Sequence, residues 1–216
     1  MNFRLQILFL ALVGVVAGSG AVFGQGKNIS QTDYWRETFS AYSLSRKSFP
    51  RIQQETYESY TDGKITYSQK KKFEYQAANN FRLITETIKD GKKSRSEMIQ
   101  VGSSRYCREG SGEWKNSGCY LNPPAPLGDA KVSTFIVQKN RDGVTYLRTA
   151  TYFPQVNGQE GPIEFITEDT LKLNKDLTVS ERKITKSVRE TKALARRETE
   201  RYEYPVKLEP IEAPTN

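Results

Sequence analysis

The sequence predicts a mainly β fold: one antiparallel meander sheet curved into an unclosed barrel, with an N-terminal helix and room for one more helix over the open side. Three observations carry this. Asp-Gly or Gly-rich turns recur at Thr61-Asp62-Gly63-Lys64, Lys89-Asp90-Gly91-Lys92, Gly110-Ser111-Gly112 and Arg141-Asp142-Gly143, joined by a tight turn at Asn174-Lys175-Asp176. Between them lie runs rich in Tyr, Thr, Ile, Val and Phe with partial period-two alternation, as strands with one wet and one buried face require. Turns this short force consecutive antiparallel pairing, which gives about ten strands in a meander.

The chain opens on a basic Arg4, an apolar run from Leu5 to Ala17 and a small-residue segment from Gly18 to Gly24, with no acidic residue before Asp33. That order reads as a secretory signal over residues 1–24, cleaved before Gln25, with a cut after Ala21 as the alternative. The apolar run is well short of the roughly 20 residues that cross a bilayer. No cysteine lies near the cleavage site to accept a lipid. The expectation is an exported protein, periplasmic or secreted and not lipid-anchored, with residues 25–216 as a single domain.

Ser30 to Ser48 carries Tyr34, Trp35, Phe39, Tyr42 and Leu44 as a loose apolar stripe, consistent with a helix that ends before Pro50. Odd positions carry the apolar groups in Ile65-Thr66-Tyr67-Ser68 and Phe73-Glu74-Tyr75, and Leu171, Leu173, Leu177 and Val179 repeat that parity. Lys70-Lys71-Lys72 sits in the first of these strands, so one lysine must point inward or occupy a bulge. Asn122-Pro123-Pro124-Ala125-Pro126 cannot join a sheet interior and divides the strands into two groups, the second beginning near Val132. Glu190 to Arg201 suits either helix or strand, and its exit into Tyr202-Glu203-Tyr204-Pro205-Val206 favours strand. Asn28-Ile29-Ser30 is a formal glycosylation triplet of low information.

Cys107 and Cys119 are the only cysteines, and in an exported chain an even count points to a bridge. A regular hairpin turning at Gly110 to Gly112 would leave them about 13 Å apart, beyond the roughly 7 Å that a disulfide spans. The chain must therefore turn back after Trp114, and Asn116-Ser117-Gly118 is suitable chemistry for it.

Histidine is absent, which removes Ser-His and Cys-His nucleophiles and most zinc and iron sites. No GxSxG, P-loop, GxGxxG or EF-hand segment occurs. Asp and Glu form no recognisable constellation, so the expectation is a non-enzyme with no catalytic residue, metal or cofactor. The formal charge of +8, +7 without Arg4, suits anionic surfaces, and export leaves nucleic acid outside the expected partners.

The order of features resembles the LolA/LolB-like and LppX/LprG-like periplasmic lipid and lipoprotein carriers. The resemblance is carried by Ser96-Glu97-Met98-Ile99-Gln100-Val101-Gly102 leading to Tyr106 and Trp114, by Phe165-Ile166-Thr167 through Val179-Ser180-Glu181-Arg182, and by Tyr202-Glu203-Tyr204-Pro205-Val206-Lys207-Leu208-Glu209-Pro210. It implies an unclosed barrel holding a hydrophobic cavity under helices, and covers nearly the whole chain after the leader. Lipidated cysteines common in the second group have no counterpart here.

A curved sheet with one apolar face must cover it with helices, a second layer or a ligand. With one convincing helix for about ten strands, apolar surface is left for an acyl chain. The expected lining is Tyr67, Phe73, Tyr75, Phe81, Leu83, Met98, Phe135, Val137, Tyr146, Leu173 and Val179, with an ordinary closed core as the competing reading. Lys70 to Lys72, Lys92, Lys93, Arg95, Arg189, Lys192, Arg196 and Arg197 would meet an anionic membrane surface. The functional expectation is a soluble carrier of lipid or lipoprotein acyl chains in the cell envelope. The alternative is a non-catalytic sensor or scaffold on the same fold that binds another envelope protein.

Overall fold

A computed structural model of the chain describes residues 26–116, 118–119, 130, 132–153, 155–156, 159–160 and 163–215. The leader, its cleavage site and the proline-rich segment lie outside these residues. Chain order is β1 (Lys27–Asn28), α1 (Gln31–Lys47), β2 (Arg51–Thr61), β3 (Lys64–Ala77), β4 (Asn80–Lys89), β5 (Lys92–Val101), β6 (Ser104–Glu109), β7 (Val132–Asn140), β8 (Gly143–Tyr152), β9 (Gln155–Val156), β10 (Gln159–Glu160), β11 (Phe165–Leu173), β12 (Val179–Val188) and β13 (Leu194–Glu203). The fold is the expected one: an eleven-stranded, unclosed antiparallel sheet with a single helix among the described residues.

The order across the sheet is β1-β7-β8-β11-β12-β13-β2-β3-β4-β5-β6, with β9 and β10 as a separate pair. The meander is thus two meanders. Strands β6 and β7 are neighbours in sequence yet stand near opposite edges, and the sheet is continuous because β13 pairs with β2. Residues 190–201, ambiguous in sequence, supply most of β13 and so make this seam.

Local chemistry places the turns. Asp62 (φ 50°) with Gly63 (φ 73°), and Asp90 (φ 49°) with Gly91 (φ 76°), are left-handed pairs of the type that two-residue hairpins require. At Gly143 (φ 149°) a Cβ would fall on the Leu173 carbonyl oxygen, so the β7–β8 turn can pass close to β11 only without a side chain. Leu177 is itself in a turn, with φ 65°, and is exposed. It does not continue the parity of Leu171, Leu173 and Val179, because Asn174 to Thr178 closes on itself through Asn174 N–H to Thr178 O at 2.8 Å.

Helix α1 starts at the Ser30 cap, whose hydroxyl accepts from Asp33 N–H at 3.0 Å. Its buried stripe is Tyr34, Thr38, Ala41 and Ser45. This corrects the apolar stripe read from sequence: Trp35, Phe39 and Leu44 are exposed, Phe39 by 71%. Small and hydroxyl-bearing residues face the sheet because the helix packs close to it, and Thr38 and Ser45 bury their hydroxyls by donating to the carbonyls of Tyr34 and Ala41, both at 2.8 Å.

The helix packs over β7, β8, β11 and β12, where Tyr34 and Ala41 meet Phe135, Tyr146, Leu171, Leu173 and Val179. A second cluster joins Phe73, Phe81, Leu83 and Met98 of β3 to β5 with Cys119. Cys107 and Cys119 are bridged with Cα atoms 5.7 Å apart. Lys115 pairs with Cys107 across the turn at Gly110 to Gly112, Gly118 has φ 74°, and the return turn expected over Asn116-Ser117-Gly118 lies partly outside the described residues.

Candidate functional site

A helix of 17 residues is about 25 Å long, while eleven paired strands span about 50 Å. Among the described residues the helix therefore leaves part of the inner face uncovered. A groove of about 600 Å³ opens there, beside the C-terminal end of α1 and over the seam. The helix contributes Tyr42, Ser45 and Arg46, and the following loop contributes Phe49. Strands β2 and β3 supply Arg51, Gln53, Glu55 and Tyr75, with Ala78 just beyond, and β12 and β13 supply Arg182, Glu200 and Tyr202. Register explains the meeting: Tyr202 faces Gln53, Glu200 faces Glu55 and Arg182 faces Glu200, so all share one side of the pleat.

The groove is polar at its floor. Arg182 is held by Asp169 through two bonds, Nε to Oδ1 at 3.0 Å and Nη2 to Oδ2 at 2.7 Å, and its Nη1 lies 3.8 Å from Glu200. Burial works against the Arg182 charge, but Asp169 more than offsets it and holds the guanidinium protonated. The Tyr202 hydroxyl donates to Glu200 at 3.0 Å, and the Gln53 amide donates to Glu55 at 2.7 Å. Burial and then the charge of Glu200 push the Glu55 carboxyl up. Burial does the same to Glu200, against the pull of Arg182. Tyr42 and Tyr202 are pushed up by burial and then by Glu200. Among the described residues the Arg51 Nε is buried without a hydrogen-bond partner.

Arg51 is anchored differently from Arg182. It is only 4% exposed, its Nη1 donates to the Ser45 carbonyl at 2.5 Å, and its guanidinium lies 4.3 Å from the Tyr75 ring centre and 5.4 Å from that of Phe49. The helix end and two ring faces stabilise its charge.

The eleven residues expected to line one apolar cavity are divided by this polar seam. Phe135, Tyr146, Leu173 and Val179 belong to the core under the helix, with Val137 packed against it. Phe73, Phe81, Leu83 and Met98 form the other cluster, with Tyr75 against it. Tyr67 stands apart, edge-on to Tyr57 at 5.6 Å. Of the eleven, Tyr75 alone lines the main groove. Leu83 and Met98 line a smaller hollow of about 390 Å³, where Lys71 is the inward lysine that strand alternation demanded. Sequence alternation marked the inner face but missed Arg51, Glu55, Arg182 and Glu200, because a polar residue at an inward position looks the same as one at an outward position once the register is unknown.

Compared with protein-family models, curated proteins and solved structures, the chain finds no match. The site therefore stands on its own geometry. Among the described residues no three of His, Cys, Asp and Glu gather as a metal-ligand set. What the groove offers is a mixed wall: aromatic faces from Tyr42, Phe49, Tyr75 and Tyr202, and charged groups held in place by partners. Such a wall suits a ligand with both an apolar part and a polar head.

Proposed function

We propose that the protein is an exported, non-catalytic binding protein that carries an amphiphile, a lipid or the acyl chains of a lipoprotein, in the groove of its half-barrel. The observation that supports this reading is the unfilled inner face: one helix over eleven strands leaves about 600 Å³ of groove between aromatic walls. The resemblance to LolA/LolB-like and LppX/LprG-like carriers points the same way, as does the leader-like segment of residues 1–24. In this reading the head, rather than the tail, of such a ligand lies over the polar floor of the seam, with the tail against Phe49, Tyr75 and Ala78.

Purification from a lipid-containing host, native mass spectrometry and solvent extraction test this directly. An adduct of amphiphile mass and saturable uptake of a fluorescent fatty acid are the expected results, with the exported form beginning at Gln25. Folded protein that carries and takes up no lipid overturns the carrier.

One observation favours a second reading, a scaffold that binds another envelope protein. Trp35 and Phe39 are exposed on a flank of α1, and half-buried Arg148 lies 5.1 Å from the Trp35 ring centre. Exposed aromatics beside arginine are the composition of protein-binding hot spots. A lipid-free, folded protein whose capture of an envelope partner is lost in Trp35→Ala with Phe39→Ala would establish this reading in place of the carrier.

A further inference from the structure

Three charged residues are buried among the described residues: Arg51, Glu97 and Asp169. Two of them have counter-charges at hand. Glu97 lies between Arg82 and Arg108, and Asp169 is clasped by Arg182. Among the described residues Arg51 pairs with no carboxylate; it donates to the Ser45 carbonyl and reaches the Tyr75 hydroxyl, and its Nε is buried without a partner. A buried charge is ordinarily neutralised by an ion pair, because leaving it uncompensated is costly. This one instead lines the groove over the seam, with exposed Arg46 at the same helix end.

We infer that the groove is an anion-recognition site in which Arg51 receives the negatively charged head of the ligand, a carboxylate or a phosphate. The inference rests on the reading of the groove as an amphiphile site and adds the charge of the head to it. Arginine is suited to this role because its planar fork matches both oxyanions and it stays charged at any working pH. The two rings beside it hold the fork in place, and their apolar faces are available to the first carbons of a tail. Arg182 is a poorer receptor, since Asp169 already takes up its Nε and Nη2. Glu55 and Glu200 also line the groove, but burial favours their neutral forms, so they oppose an arriving anion less than two full charges would.

The test holds the tail constant and changes the head. Dodecanoate, dodecyl phosphate and dodecanol are titrated into the purified chain by calorimetry, then into Arg51→Gln and Arg46→Gln. One or both anions should bind at least about tenfold more tightly than the alcohol, as a charge-assisted hydrogen bond implies. Which of the two wins separates a fatty acid from a phosphorylated head. Arg51→Gln should lose the preference yet keep the alcohol affinity, while Arg46→Gln keeps most of the preference. Equal binding of all three heads overturns the anion site and leaves the amphiphile reading standing. Binding of none overturns that reading and the inference with it. A preference that survives in folded Arg51→Gln overturns the assignment to Arg51. If that variant does not fold, the Arg51 Nε–H resonance of the wild-type chain decides: dodecyl phosphate should shift it, and an unshifted resonance overturns the inference.

Discussion

Glu200 stands directly opposite Glu55 where β13 pairs with β2, so the seam that joins the two meanders places two carboxylates side by side on the inner face. Like charges in direct cross-strand register oppose one another, and both carboxyls are half-buried and raised from their ordinary range. The arrangement costs stability at neutral pH, moderated by Arg182 near Glu200 and by the Gln53 amide on Glu55.

The sign of the pH effect follows from those shifts. A carboxyl raised in the folded state contributes stability that is full below the unfolded value, about 4.3 for Glu, and is lost as pH rises through the folded value. Glu200→Gln imitates the protonated form at every pH. It should therefore melt higher than the wild type at pH 8, with the difference shrinking toward pH 4. Calorimetric melting across that range checks it, and a difference that grows toward acid would contradict the raised carboxyl.

Glu97 has the opposite sign. Burial works to raise its carboxyl, but hydrogen bonds and charge from Arg108 and Arg82 outweigh it and hold the group low. Its contribution is present above the unfolded value and lost as pH falls through the folded one. Glu97→Gln strands two guanidinium groups, one of which stacks 4.5 Å from the Trp114 ring centre. Since Arg82 and Arg108 are partly exposed, the expected loss is about 2 kcal/mol, less than for a fully buried pair. Urea unfolding at pH 7 should show it, and the gap from wild type should narrow in acid.

Ser45 fastens the helix to the sheet. Its hydroxyl accepts the Val179 N–H at 2.7 Å and donates to the Ala41 carbonyl, in a spot where Val179 has no exposed surface. Ser45→Ala leaves that N–H unpaired and should cost about 1–3 kcal/mol. Faster amide exchange at Val179, measured by NMR, would accompany the loss.

Reduction of Cys107–Cys119 opens a loop of sequence separation 12, a change worth about 3 kcal/mol in the chain-entropy account. The melting temperature should fall while the far-ultraviolet spectrum below it stays that of a sheet. The core under α1 lies on β7, β8, β11 and β12 and contains neither cysteine, so collapse of the whole fold on reduction would contradict two separate clusters.

The turn pairs, the N-terminal helix, the bridge and, roughly, the extent of the main sheet (about ten strands expected, eleven found) were legible in the sequence because each is set within a few residues. Asp-Gly fixes a hairpin whatever surrounds it, and Ser30 caps α1 through Asp33 three positions on. The buried face of α1 was legible only at Tyr34 and, half-buried against the core, Tyr42. Periodicity selected Trp35, Phe39 and Leu44, whereas close packing on the sheet selected Ala41 and Ser45, and closeness of approach is a property of two surfaces together.

The sequence by itself determined most of the strands, since alternation and turn chemistry act locally, but it left residues 190–201 open between helix and strand. Only the tertiary structure decided that β13 lies against β2, a contact between the two ends of the folded domain that no local pattern encodes. That pairing sets Glu55, Glu200, Arg182 and Tyr202 into one groove and parts the apolar residues into two clusters. An inward arginine and an outward one are spelled alike. The difference between Arg51 and the solvated lysines of β3 is made by the helix end, the two rings and the groove that surround it.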